Sequence, residues 1–237
     1  MIEKKYTGFV CKKVNYGEND AIVTIFTSDG NHSFKARGIN KINSKNGSAT
    51  NYFMLSEFVF TAKSENSNQT LKSANIVKVF KKPFDDLTIS ASYLYICSLL
   101  FQVSEQINGY DVALSCFEML EEGKSPISVL NYFLKKLVDA LGYNPNIEGC
   151  INCTKKTNLI SFSFEQGGFI CSNCFNQNLN IKMPTLFLKD LYNFLKEEDY
   201  LEIEANNALR IFKMYNEFFK NNSILKVENY EFLLKCL

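Results

Sequence analysis

Apolar and polar positions follow two different periods along this chain, and the change falls near residue 82. Up to that point they alternate, as in half-buried strands. Runs at 6–14, 21–27, 31–38, 52–62 and 70–80 are rich in Val, Ile, Phe, Tyr and Thr, and turn residues divide them. Residues 15–19 and Ser28-Asp29-Gly30 read as hairpin connections, and 43–51 and 64–69 as polar loops. Five strands in about 75 residues suit a small closed barrel of the OB type. On the third strand, alternation turns Phe34 and Ala36 inward and Ser33, Lys35 and Arg37 outward.

From Pro83 the spacing becomes helical. Residues 87–107 are apolar on nearly every side and predict a helix central to its domain. A shorter helix is expected over 111–121. Ser125 is placed to cap a helix that begins at Pro126, carries Ile127, Leu130, Phe133, Leu134, Leu137, Val138 and Leu141 on one face, and stops before Gly142. Pro184 opens another, running to about Lys196. Ala208, Ile211, Phe212, Tyr215, Phe218 and Phe219 form a further stripe, read as bundle core. The expected fold is α+β, with a five-stranded OB-type barrel at 1–82 and an α-helical domain at 83–237.

Between two of these helices lie Cys150, Cys153, Cys171 and Cys174, two C-x-x-C pairs separated by 17 residues. Each pair suits a tight knuckle that aims both sulfurs at one point, and the spacer accommodates a β-hairpin that brings the knuckles together. Ser161 to Phe164 reads as one strand, Gly167-Gly168 as the turn, and Phe169-Ile170 as the return. Four thiolates fill a tetrahedral zinc completely, so the expected metal is one structural zinc per chain, held by an insertion at about 147–180. Disulfides would require an oxidising compartment, and Met1-Ile2-Glu3-Lys4-Lys5-Tyr6 leads into no apolar signal core. Cys11, Cys97, Cys116 and Cys236 lie in apolar surroundings and read as small buried hydrophobes.

Composition adds a charge division. The formal net charge of +1 conceals thirteen Lys or Arg against six Asp or Glu in residues 1–82, and thirteen against nineteen in 83–237. Such asymmetry points the N-terminal part toward a polyanion. Lys35 and Arg37, with Lys12, Lys13, Lys41 and Lys45 in neighbouring segments, are the candidate phosphate contacts; Lys81 and Lys82 are a second cluster. The densest apolar run, 94–103, is broken by Cys97, Ser98 and Gln102 and is too short for a membrane span, so an intracellular, soluble chain is expected.

Catalytic constellations are scarce. The one histidine, His32, sits beside a hairpin turn and reads as a surface residue, and no glycine-rich phosphate loop is present. Asp85-Asp86 and Glu197-Glu198-Asp199 fall near helix ends, where they serve as capping or solvating charges. The competing reading is a cysteine-dependent enzyme that uses Cys11 or Cys97 and is supported by the metal hairpin.

Basic barrel, helical domain and inserted zinc hairpin, in that order, resemble the bacterial recombination mediator family RecO. The resemblance is carried by Gly8-Phe9-Val10, Tyr16-Gly17-Glu18-Asn19-Asp20, Thr24 to Gly30, Ala36-Arg37-Gly38, Ser44-Lys45 and the segment from Cys150 to Cys174. It implies a non-enzymatic, cytoplasmic, nucleoid-associated protein that binds single- and double-stranded DNA and anneals complementary strands. It further implies action with RecR in loading RecA, and recognition of the acidic, apolar C-terminal tail of single-strand-binding protein by the helical domain. The match at Ala36-Arg37-Gly38 makes Arg37 a DNA contact, with Lys35 beside it. After Gly38 the chain departs from the family, which is usually richer in arginine there.

Overall fold

The computed structural model describes residues 2–63, 69–103, 109–226 and 228–237. Five strands open the chain: β1 (Ile2–Tyr16), β2 (Asp20–Thr27), β3 (Gly30–Ala36), β4 (Met54–Ala62) and β5 (Thr70–Val79). They pair in the order β1-β2-β3-β5-β4, and β1 also pairs with β4, which completes an OB-like ring. The β3–β5 junction is narrow. One parallel pair, Lys35↔Thr70, and a hydrogen bond from Lys35 N to Gln69 O at 3.1 Å span it.

β1 is long because it serves two neighbours. Ile2 to Phe9 face β4, while Gly8 to Tyr16 face β2. Its charged start is strand despite its composition, because Glu3 and Lys5 sit on the outer row and pair with Lys72 and Glu57, at 2.5 and 2.7 Å. At its other end the strand continues through Tyr16, so only Gly17 to Asn19 make the turn expected over 15–19. Val10, Val23, Ile25, Phe34, Phe58 and Phe60 fill the barrel interior, and Phe34 and Ala36 point inward as the alternation requires. The expected loop at 64–69 falls, apart from Gln69, outside the described residues.

The helices are α1 (Lys82–Asp85), α2 (Leu87–Val103), α3 (Tyr110–Glu122), α4 (Pro126–Ala140), α5 (Thr185–Lys196), α6 (Ala205–Asn221) and α7 (Tyr230–Cys236). The expected residues 104–107 of the second helix lie outside the described residues. Asp86 caps α2, its Oδ1 accepting from Thr88 N and Ile89 N at 2.8 and 3.0 Å. Ser125 does occupy the N-cap position of α4, but its hydroxyl makes no capping bond; the fixed φ of Pro126 suffices to start that helix.

By packing, the chain forms two compact units, Met1–Gly123 with Val227–Leu237, and Lys124–Lys226. In the first, α1 to α3 and α7 join the barrel: Phe9 meets Phe117 edge-on at 4.9 Å, and Tyr93 stacks on Phe117 at 3.5 Å. Division by packing therefore assigns α1 to α3 to the barrel's unit, whereas division by residue period separates them at 82. The second unit holds α4 to α6 and a three-stranded sheet of β6 (Asn146–Cys150), β7 (Leu159–Ser163) and β8 (Gly168–Cys171), ordered β6-β8-β7. Among the described residues no helix is long and apolar enough to cross a membrane.

Candidate functional site

The four cysteines converge. Cys150 ends β6, Cys171 ends β8, and Cys153 and Cys174 follow three residues later on their knuckles. β6 lies parallel to β8, and this non-local pairing sets the first knuckle beside the second. Ile151 N donates to Phe169 O and Ser172 N to Asn158 O, each at 2.9 Å. Gly149 is required by the first knuckle: a Cβ there would lie 2.8 Å from the Thr154 carbonyl oxygen. Gly168, at φ +150°, passes against the Asn146 carbonyl in a conformation that side chains rarely adopt.

All four sulfurs lie within 4.8 Å of one another, and Cys153 Sγ is 3.6 Å from Cys171 Sγ. A tetrahedron with metal–sulfur bonds of about 2.3 Å has edges of about 3.8 Å, so four sulfurs grouped this closely suit a tetrathiolate zinc. Burial opposes the Cys150 thiolate, yet the backbone N–H groups of Cys171, Asn152 and Cys153 outweigh it and draw its pKa down to about 6. Burial likewise opposes ionisation of Cys171, and the amide of Cys174 and the thiol of Cys153 overcome it. Cys174 is pushed up to about 12, first by its hydrogen bond with Cys153 and then by burial. The amides aimed at Cys150 and Cys171 thus favour thiolates at these two positions.

The hairpin is built into the helical unit. Phe164 packs on Tyr215 of α6 at 4.4 Å, Phe162 meets Phe169 at 5.0 Å, and Ser161 Oγ donates to Ile181 O at 2.8 Å. Beside it lies a cleft of about 330 Å³ lined by Leu179, Ile181, Met183 and Met214, with Arg210 and Lys213 and also Glu165 and Glu217 around it. Leu179 and Ile181 are 71% and 73% exposed, the largest apolar exposures in this unit's described residues.

On the barrel, Lys35 and Arg37 line one cleft of about 380 Å³ together with Tyr16, Ile22, Ser33 and Thr70. β3 ends at Ala36, so Arg37 is the first residue of the following turn, and it is exposed. That turn is anchored: Gly38 N donates to Asp20 Oδ1 at 2.8 Å, and Asn40 N to Asn19 O at 3.0 Å. Lys35 Nζ lies 3.8 Å from Asp20 Oδ2 and 4.5 Å from the centroid of the Tyr16 ring. Lys41 and Lys45 are exposed in the segment after this turn.

Lys12 and Lys13 part company. Lys12 is on the outer row and sits 4.4 Å over the Phe101 ring. Lys13 is paired with buried Val23, on the inner row at the barrel's end, where Nζ donates to Asn51 at 3.4 Å and burial lowers its pKa. Tyr16 and Ile22 join the cleft because β1 extends through the expected turn to Tyr16; the strand-like alternation Val14-x-Tyr16 is the sequence signal of that extension.

His32 is not a surface residue. It is half-buried and stacked on Tyr6 at 4.0 Å, with a buried, unpartnered Nε2 and a pKa lowered by burial. Cys11, Cys97 and Cys116 are buried, and burial raises each thiol, Cys11 to about 12. Cys236 is only half-buried, at the end of α7.

The family model described as "Recombination protein O N terminal" matches residues 1–80, and "Recombination protein O C terminal" matches 85–223. Similar proteins include the "DNA repair protein RecO" of Listeria monocytogenes serotype 4b, 26% identical over 99% of this chain and 86% of its own length. The protein of that name from Caldicellulosiruptor saccharolyticus is 34% identical over 73% of each chain, and that of Bacillus pumilus 27% identical over 73% of this chain and 69% of its own.

Proposed function

The chain belongs to the recombination protein O family, and on that premise we propose that it is a non-enzymatic DNA-binding mediator of recombinational repair. It anneals complementary single strands and, with RecR, helps load RecA onto DNA coated with single-strand-binding protein. The observation that carries this reading is the cleft in which Lys35 and Arg37 stand together on the outer side of an OB-like barrel. Cations at this spacing neutralise successive phosphates of either strand form, independent of sequence, and so allow two strands to approach. Lys41 and Lys45 extend the path beyond the turn; Lys12 and Lys13 contribute to the local potential. In this reading residues 1–82 hold DNA and 83–237 receive partner proteins, in the cytoplasm and at the nucleoid.

Zinc, one per chain, is held by Cys150, Cys153, Cys171 and Cys174 and serves the fold, since four thiolates leave no position for water or substrate. The acidic, apolar tail of single-strand-binding protein fits the cleft beside the hairpin, where Leu179 and Ile181 supply apolar surface and Arg210 and Lys213 supply charge. A cysteine-dependent activity finds no support in Cys11 or Cys97, because burial keeps both as thiols at neutral pH. The test is annealing of complementary oligonucleotides, bare and coated with single-strand-binding protein: acceleration of both, suppressed by salt, is expected. Acceleration of neither would overturn the proposal.

A further inference from the structure

Register places an unusual set of side chains on one side of the barrel. Val14 pairs with Ile22, Ile22 with Lys35, and Tyr16 with Asp20, so all five project from the outer row of β1, β2 and β3. Val14, Tyr16 and Ile22 are 48%, 60% and 45% exposed, although the other outer positions of these strands carry polar groups or are covered. A contiguous apolar patch rimmed by cations marks a surface that binds a ligand. Pairing does not cover it: Asp20 is committed to Gly38 N and Lys35, and the Lys35 ammonium stands 4.5 Å from the centroid of the Tyr16 ring.

We propose that Tyr16, flanked by Ile22 and Val14, is a base-stacking platform that makes this barrel select single-stranded over double-stranded nucleic acid. The inference rests on the reading of Lys35 and Arg37 as phosphate contacts and adds what the bases do. An ammonium over one side of a ring polarises it and leaves the other side to a base. A duplex hides its base faces within the stack, so only an unpaired strand can offer one while its phosphates lie along Lys35 and Arg37. The spacing is compatible, since Tyr16 and Lys35 are already in contact and Arg37 is two residues further on.

The experiment compares Tyr16→Ala, Tyr16→Phe and Lys35→Ala/Arg37→Ala in the full chain. The probes are a thymidine oligomer, an abasic oligomer with the same number of phosphates, and a duplex of equal length. Tyr16→Ala is expected to weaken binding of the thymidine oligomer about tenfold, with abasic and duplex binding changed less than about twofold, and with the salt slope unchanged. Tyr16→Phe should bind as the unmodified chain does. An equal loss on the abasic oligomer, or no loss on thymidine, would overturn the platform. If instead the Lys35→Ala/Arg37→Ala chain binds all three probes with an unchanged salt slope, the phosphate reading falls, whatever Tyr16 does.

Discussion

Replacing Cys171 with Ser removes one of the four proposed zinc ligands. Its side chain is fully buried at the end of β8, 3.6 Å from Cys153 Sγ, and its carbonyl accepts from Cys174 N at 3.1 Å within the second knuckle. Structural zinc of this type contributes about 10–16 kcal/mol, so an even division over four thiolates assigns about 3 kcal/mol to each, or a metal affinity more than about 100-fold weaker. The remaining attachment of the hairpin is apolar. Phe162, Phe169 and Ile170 are buried, and at about 1.5–3 kcal/mol each they contribute roughly 5–9 kcal/mol to holding it. The effect should therefore be local: the knuckles loosen while α4 and α6 remain folded. Elemental analysis should find zinc falling from about one per chain to well below it. Hydrogen exchange should accelerate at Ile151, Ser172 and Cys174, whose amides are bonded within or across the knuckles. Cys236→Ser, at the half-buried end of α7, should leave both readouts unchanged. One zinc per chain and unaltered exchange in Cys171→Ser would refute the reasoning.

His32 offers a pH test. Its folded pKa lies below the unfolded value of 6.5, so the stability it contributes is present above pH 6.5 and is lost as pH falls through the folded value. His32→Phe keeps the stack on Tyr6 and removes both the titration and the unpartnered Nε2, so its melting temperature should fall less than that of the unmodified chain between pH 7.5 and 5; equal losses would refute the assignment. Asp86→Ala frees two amides at the start of α2 and should cost about 1 kcal/mol in chemical denaturation, with Asp86→Asn recovering most of it. Arg210→Glu combined with Lys213→Glu should abolish binding of a peptide ending in the acidic, apolar tail of single-strand-binding protein, read by calorimetry on the full chain; unchanged binding would place the tail elsewhere.

The sequence made the periodic elements readable and left the non-local ones hidden. All five barrel strands overlap the runs that alternation marked, although β1 begins four residues earlier; a one-residue slip of β2 or β3 would expose Val23 or Phe34, whereas β5 buries only Ala74 and is held by its pairing with β4. The four-cysteine cluster was legible for a different reason: ligand spacing is a constraint on covalent geometry and survives without any periodicity. β6 was not legible. Asn146 to Cys150 has no alternation, and it is a strand because β8, some twenty residues on, accepts it. α7 is only seven residues long and follows Asn229 at φ 63°, with too few turns for a helical period to emerge. The pleat alone turns Lys12 and Lys13 to opposite faces; which of them faces outward is set by a bulge between Val10 and Lys12, which shifts the register of β1 and cannot be seen from the charges themselves.

The central claim is that the cleft around Lys35 and Arg37 holds the phosphate backbone, and the salt dependence of DNA binding tests it most directly. Both side chains reach one cleft and neither lies in the barrel core, so Lys35→Ala/Arg37→Ala should fold normally. Losing two phosphate contacts should reduce the magnitude of the salt slope by about 1.4 on single strands and about 1.8 on duplex. At 0.15 M salt the single-strand figure corresponds to roughly tenfold weaker binding, whatever the sequence. Affinity and slope indistinguishable from those of the unmodified chain would contradict the account.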